Sequence, residues 1–329
     1  MPKRKKTDCA PKNHVAEANA AFAFNLLQQL IVADPPTPVA CSPFSVSVCL
    51  ALLCAGAKGE TKAQLERLLG GAAASDAQIQ EFYTGMLRAS GDFCLEFANK
   101  LCVKECATPL ESFVEIVKLN YGGMLGMVPS INEWVAVKTH GLIKDMIQLN
   151  DVTSATTMIL LNAVYFNGKW KNEFEELHSR EEQFRITETK TKKVRMMRNH
   201  LAKQFHFIAT EKAKVIRIPY RGEQMAMYAF LPAEFKTHKA VFEGFEDSEI
   251  LALMNRVKDE EPVAVMVQFP CMEVSSALSL EKIIQKLGII DAFDKQDADF
   301  SGILPLSPDS PKLYIEKIFQ KTFIKASWV

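Results

Sequence analysis

Apolar residues recur along this chain first with a helical period and later with a two-residue one. Ala18, Phe22, Leu26 and Leu30 stand four apart, the spacing that lines one face of a helix. Asp34-Pro35-Pro36 ends that run, because proline lacks the N–H and its ring clashes with the preceding turn. Ser42 followed by Pro43 predicts an N-cap with proline at the first helical position, opening a helix that is apolar all round. Thr61-x-x-Gln64, Ser75-x-x-Gln78 and Ser130-x-x-Glu133 each carry the spacing of a capping box. Behind the second of these, Ile79, Phe82, Tyr83, Met86 and Leu87 form one apolar stripe. Phe93, Leu95, Phe97, Leu101 and Val103 then alternate as a half-buried strand, with Asn99 occupying one inward slot of the period.

From Thr157 the texture turns strand-rich. Thr157 to Trp170 reads TMILLNAVYFNGKW, a run so continuously apolar at its start that it predicts a strand buried on both faces. Asn162 interrupts it. A carboxamide left unpaired there would cost about 1–3 kcal/mol, so its partners must come from distant parts of the chain. Further strands are predicted over 184–186, 194–197, 204–208, 215–219, 225–231, 263–269 and 313–319, interrupted by helices near 247–257 and from a Ser279 cap to Gly288. Helices first and sheets second, with no repeat and no Pro/Ser linker, predict an α+β fold in one body. The expected organisation is a basic tail over residues 1–14 and a single domain over 15–329.

At 329 residues and 48% hydrophobic content the chain can bury a sizeable core. Its 39 basic and 39 acidic residues balance, so no global field draws it to nucleic acid or to an anionic membrane. Eight cysteines (9, 41, 49, 54, 94, 102, 106 and 271) include no CxxC pair, and Cys49 and Cys54 fall inside the apolar helix. Free buried thiols and a reducing compartment follow. The uncharged run from Val39 to Ala57 is broken by Ser42, Pro43, Ser45 and Ser47, so a helix buried in protein is expected rather than a membrane span. Pro2-Lys3-Arg4-Lys5-Lys6 replaces a secretory signal and reads either as a nuclear address or as a solvated basic tail. The expected location is cytoplasmic or nuclear, the alternative being extracellular without a cleavable signal.

Candidate chemistry is sparse. The six histidines (14, 140, 178, 200, 206 and 238) have no metal-ligand spacing. GxSxG, GxGxxG and Walker-type loops are absent, and Gly56 to Thr61 lacks phosphate-loop spacing. The residues therefore predict neither an enzyme nor a cofactor-binding protein. From Gly71 to Ser90 the one basic residue is Arg88, which argues against a glycosaminoglycan site there.

From about Asn19 to Ile324 the chain resembles the serpins. The resemblance is carried by CSPFSVSVCLALLCAGAKGETKAQL at 41–65, INEWVAVKTHGLIKDMI at 131–147, MILLNAVYFNGKWKNEF at 158–174, KVRMM at 193–197, IPYRGEQMAMYAFLP at 218–232 and LEKIIQKLGIIDAFDKQDADFSGI at 280–303. It implies three sheets with many helices, the largest sheet being trapped short of one strand. It further implies a reactive loop that offers bait to a serine or cysteine protease. Once cut and acylated, that loop inserts as a central strand and distorts the attached protease, a strand addition that releases stored strain. A polar cluster beneath the central strands, matching Ser42, Ser45 and Asn162, would control opening, with Trp170 where insertion begins. The cluster's usual histidine is replaced by Gln320, before Lys321, which keeps hydrogen-bonding capacity but loses titration near neutral pH.

Two departures stand out. After Ile324 the family continues through an acidic, glycine- and alanine-rich hinge into the reactive loop and closing strands, whereas these residues read Lys325-Ala326-Ser327-Trp328-Val329. Hinge, reactive bond and insertable strand are thus expected to be missing, inhibition by this chain alone to fail, and strand edges left open to promote self-association. Between Tyr121 and Ile131, where the family has an edge strand and the start of a covering helix, the sequence offers only GGMLGMVPS. Two function classes follow: a protease inhibitor in the serpin manner, in shortened form, or a non-inhibitory partner-binding relative, with Lys3, Arg4, Lys5 and Lys6 directing it to the nucleus.

Overall fold

The four-residue apolar rhythm at the N-terminus forms helix α1 (His14–Val32), which buries Phe22, Leu26 and Leu30. This is a computed structural model describing residues 14–32, 38–70, 77–79, 81–82, 93–104, 116–119, 124–153, 156–186, 189–199, 201–233, 244–245, 247–304 and 312–327. The basic run at Lys3 to Lys6, Ser75 and most of the stripe beyond Phe82 lie outside the described residues. Helix α2 (Pro43–Gly56) is buried along most of its length, and its Ser42 N-cap accepts the Ser45 N–H at 3.4 Å. Helix α3 (Gly59–Gly70) follows after two residues.

Strands β1 (Phe93–Lys104), β2 (Ile116–Leu119), β3 (Met158–Gly168), β11 (Met272–Ser279) and β12 (Lys317–Ala326) form a five-stranded sheet in the order β11-β12-β3-β1-β2. Antiparallel β1–β3 and β11–β12 ladders flank a parallel β12–β3 seam that runs from Lys317↔Ile159 to Ile324↔Phe166. Met158 and Leu160 of β3 face one core with Val46, Leu50 and Leu53 of α2. Ile159, Leu161 and Ala163 face another with Val128, Ile131 and Val135 of helix α4 (Met124–Lys138). The unbroken apolar run is thus explained by burial on both faces.

Strands β4 (Arg180–Arg185), β5 (Thr191–Arg198) and β10 (Gln268–Pro270) make a three-stranded sheet in the order β10-β5-β4. Strands β6 (Lys203–Ala209), β7 (Ala213–Pro219), β8 (Ala226–Pro232) and β9 (Val263–Val265) make a four-stranded one in the order β8-β7-β6-β9. Ile250, Leu253 and Val257 of helix α5 (Asp247–Asp259) share a core with Ile208, Ala213 and Val215 on that second sheet.

Several local expectations are overturned. The stretch from Tyr121 to Ile131 does not mark a missing strand and helix: β2 pairs parallel with β1 at Leu101↔Ile116 to Lys104↔Leu119, and α4 already begins at Met124. Pro129 lies inside α4 and hid the helix from a pattern reading, as did the run of glycines. Thr61 and Gln64 are not a capping box. Both lie inside α3 and reach across the fold, Thr61 Oγ1 accepting the Asp299 N–H (3.0 Å) and Gln64 Oε1 those of Ile290 (2.8 Å) and Asp291 (3.1 Å). Ser130 likewise lies within α4, and Ser279 ends β11 rather than capping helix α6 (Glu281–Lys286). The strand expected over 263–269 divides into β9 and β10, which join different sheets, and that expected over 313–319 is shifted to 317–326. Strand β11 was not foreseen, since MEVSSALS carries polar residues on its solvent side and gives a weak apolar signal.

Candidate functional site

Sheet register sets the site. Asn162 of β3 stands opposite Asn99 of β1 on one side and Gln320 of β12 on the other, which places three carboxamides on one rung. Ser42, Ser45 and Cys49 follow one face at the start of α2, as i, i+3, i+7 spacing requires. Ser45, Asn162 and Gln320 are fully buried, so their polar atoms must find partners within the protein.

They do so in two halves. On the β3 side, Asn162 Nδ2 donates to Ser45 Oγ, to Asn99 Oδ1 (2.6 Å) and towards Cys49 Sγ (3.6 Å), while Ser45 Oγ donates to Asn99 Oδ1 (2.9 Å). On the β12 side, Gln320 grips the backbone of Ser42 with both ends of its amide: Oε1 accepts the Ser42 N–H (3.1 Å) and Nε2 donates to the Ser42 carbonyl (3.0 Å). One bond joins the halves, from Gln320 Nε2 to Asn162 Oδ1 (2.6 Å). Parting β12 from β3 at this rung therefore breaks a single side-chain hydrogen bond and leaves the other bonds within each half intact. The acceptor exposed on Asn162 and the N–H freed on Gln320 would each cost about 1–3 kcal/mol until a new group filled the gap.

Charge plays no part here. Burial pushes the Cys49 thiol up to about 12, and the amides and hydroxyls do not titrate. On the opposite face Lys100 places its Nζ 4.0 Å from the ring centroid of Trp134, and burial likewise lifts Cys102 to about 12.

Trp170 sits beyond the end of β3 and is almost fully buried. Its ring stacks on Tyr220 at 4.5 Å and 14° and meets Phe174 edge-on at 5.9 Å. Its Nε1 donates to the Ser327 carbonyl at 2.7 Å, fastening the segment that leaves β12. The structure thus brings Ser42, Ser45, Asn162 and Gln320 together and sets Trp170 apart at the end of the seam. Asn99 and Cys49 join the cluster without having been singled out for it. The signal for Asn99 was its polar intrusion in an alternating strand, and for Cys49 its place one helical face on from Ser42 and Ser45. Among the described residues no group of three or more His, Cys, Asp or Glu could hold a metal, and no helix is long and apolar enough to cross a membrane.

The topology and this polar rung define a three-sheet α+β protein with a parallel seam underlain by a side-chain latch. A profile of the Serpin family, serine protease inhibitors, matches residues 17–327, and the chain belongs to that family. It is 29% identical to leukocyte elastase inhibitor A of Mus musculus over 328 residues, covering 95% of this chain and 86% of the relative. It is 30% identical to Serpin B8 of Homo sapiens over 321 residues, covering 92% and 85%. Its fold is that of uncleaved ovalbumin, with a TM-score of 0.85 at 21% identity over 96% of this chain and 87% of that one. A tumour suppressing serpin superposes with a TM-score of 0.86 at 22% identity, over 96% and 89%. The family consists of protease inhibitors rather than enzymes.

Proposed function

We propose that this protein serves suicide inhibition of a serine or cysteine protease, its β3–β12 seam being the place where a cleaved bait strand is received. The observation that carries this reading is the divided latch. Gln320 remains bound to Ser42 and Asn162 to Ser45 and Asn99 when the strands separate, so at this rung the sheet opens with one side-chain bond broken. An arriving strand would supply backbone partners to both sides of the gap, which makes insertion downhill once the seam has opened.

Incubation with a panel of serine and cysteine proteases, followed by denaturing electrophoresis, tests this reading. A product in which a bait segment follows β12 is expected to give a detergent-resistant adduct with at least one of them. Failure of every extended product would remove the inhibitory assignment.

We place the protein in a reducing compartment, on the strength of the free thiols at Cys41, Cys49, Cys54, Cys102 and Cys271. Fractionation of cells carrying Lys3, Arg4, Lys5 and Lys6 replaced by alanine would decide whether that run takes it to the nucleus.

A further inference from the structure

The segment joining α4 to β3 lies across the large sheet as a strap. Asn132 clamps it with both ends of its amide, Nδ2 to the Ile147 carbonyl (2.9 Å) and Oδ1 from the Ile147 N–H (3.0 Å). Between this strap and strands β11 and β12 is a cavity of about 250 Å³. That is below the range of drug-sized sites, roughly 300–1,000 Å³, and suits a metabolite-sized guest. Met146, Leu278 and Phe319 supply apolar lining, and Asp145, Asp151 and Lys321 supply charge.

The charges are not equivalent. Asp151 is committed, with Lys317 Nζ on Oδ1 (3.2 Å) and the Gln148 N–H on Oδ2 (2.8 Å). Among the described residues Asp145 and Lys321 have no ion-pair partner. The cavity thus offers one uncommitted carboxylate, one uncommitted ammonium group and an apolar lining. Its complement is a molecule with an ammonium group, a carboxylate and an apolar body. Asp145 belongs to the strap, which leads into β3, whereas Lys321 belongs to β12, so a guest that pairs with both spans the β3–β12 seam.

We propose that this cavity binds an α-amino-acid zwitterion with a large apolar side chain, and that the bound guest ties the strap to β12 and resists opening of the sheet. The binding stands on the cavity alone; the consequence for strand insertion rests on the inhibitory reading above.

Phenylalanine is the probe, with phenylalaninamide (no carboxylate) and N-acetylphenylalanine (no ammonium) as its controls, added to the full chain. Calorimetric titration and the melting temperature report binding, and amide exchange over Lys317 to Ile324 reports the seam. Phenylalanine is expected to bind saturably, raise the melting temperature and slow exchange along β12, with each control about tenfold weaker. Asp145→Asn should abolish the penalty for losing the ammonium group, and Lys321→Gln that for losing the carboxylate, both with unliganded melting unchanged. Absence of saturable binding, equal binding of all three compounds, or unaltered discrimination in both variants would overturn the site. In a bait-bearing product, absence of protease trapping without phenylalanine, with phenylalanine binding intact, would count against the inhibitory reading alone, and trapping without saturable phenylalanine binding against the cavity alone.

Discussion

Asn162 shows what one polar side chain does inside an apolar strand. Its amide serves β1, α2 and β12 together, so Asn162→Ala leaves Gln320 and Ser45 short of a partner. A loss of about 2 kcal/mol is expected, measured as a lower urea midpoint at unchanged slope. The thiols make a second prediction. In the folded protein Cys49 and Cys102 are held near 12 against an ordinary 9.0, because burial penalises the thiolate. Folding therefore keeps protons that the unfolded chain gives up. The contribution is complete below pH 9 and is lost as pH rises from 9 towards 12. Urea melts at pH about 8 and about 10.5 should show the decline, and both thiols should resist alkylation until the chain unfolds. The sequence disclosed Asn162 through its contrast with its neighbours, and Gln320 through resemblance alone. It could not disclose that Gln320 grips the Ser42 backbone, since the two are 278 positions apart and backbone acceptors carry no residue signature.

Elements were legible where one face, or both, is apolar. Helix α1, the capped α2 and the doubly buried β3 are written in their periodicities; β11 and β12 are not, because β12 sets Lys317, Lys321 and Lys325 among apolar residues and buries Gln320 and Thr322. The capping-box expectations at Thr61 and Ser130 failed because a short polar motif has the same spelling whether it serves its own helix or a distant loop. Close packing between elements was equally invisible. A Cβ at Gly302 would lie 2.7 Å from the Gly56 carbonyl oxygen, and one at Gly168 would lie 2.6 Å from the Tyr220 ring. Gly302→Ala meets backbone that cannot swing aside, so a cost of about 1–3 kcal/mol and a clear drop in melting temperature are expected. Gly168→Ala should fall in the same range and quench or shift Trp170 fluorescence, since Tyr220 stacks on that ring.

For the molecule as a whole, β8 is an edge of its sheet, hydrogen-bonded to β7 alone among the described residues. Met225, Met227 and Phe230 are only partly buried there and Leu231 is 63% exposed. An open edge with apolar flanks invites pairing with another chain, so the average mass of the 329-residue chain in sedimentation should rise with concentration, and Leu231→Lys should reduce the rise. Long irregular segments make the family fold legible in the sequence; the parallel seam is not, because it pairs strands whose facing residues, such as Asn162 and Gln320, stand 158 positions apart. The seam's latch has a further consequence. No side chain on that rung gains or loses a proton between pH 5 and 8, and Gln320 is the reason. A copy carried from a neutral compartment into an acidified vesicle would find this lock unchanged, so acid alone does not spring it, and release at this rung falls to a binding partner.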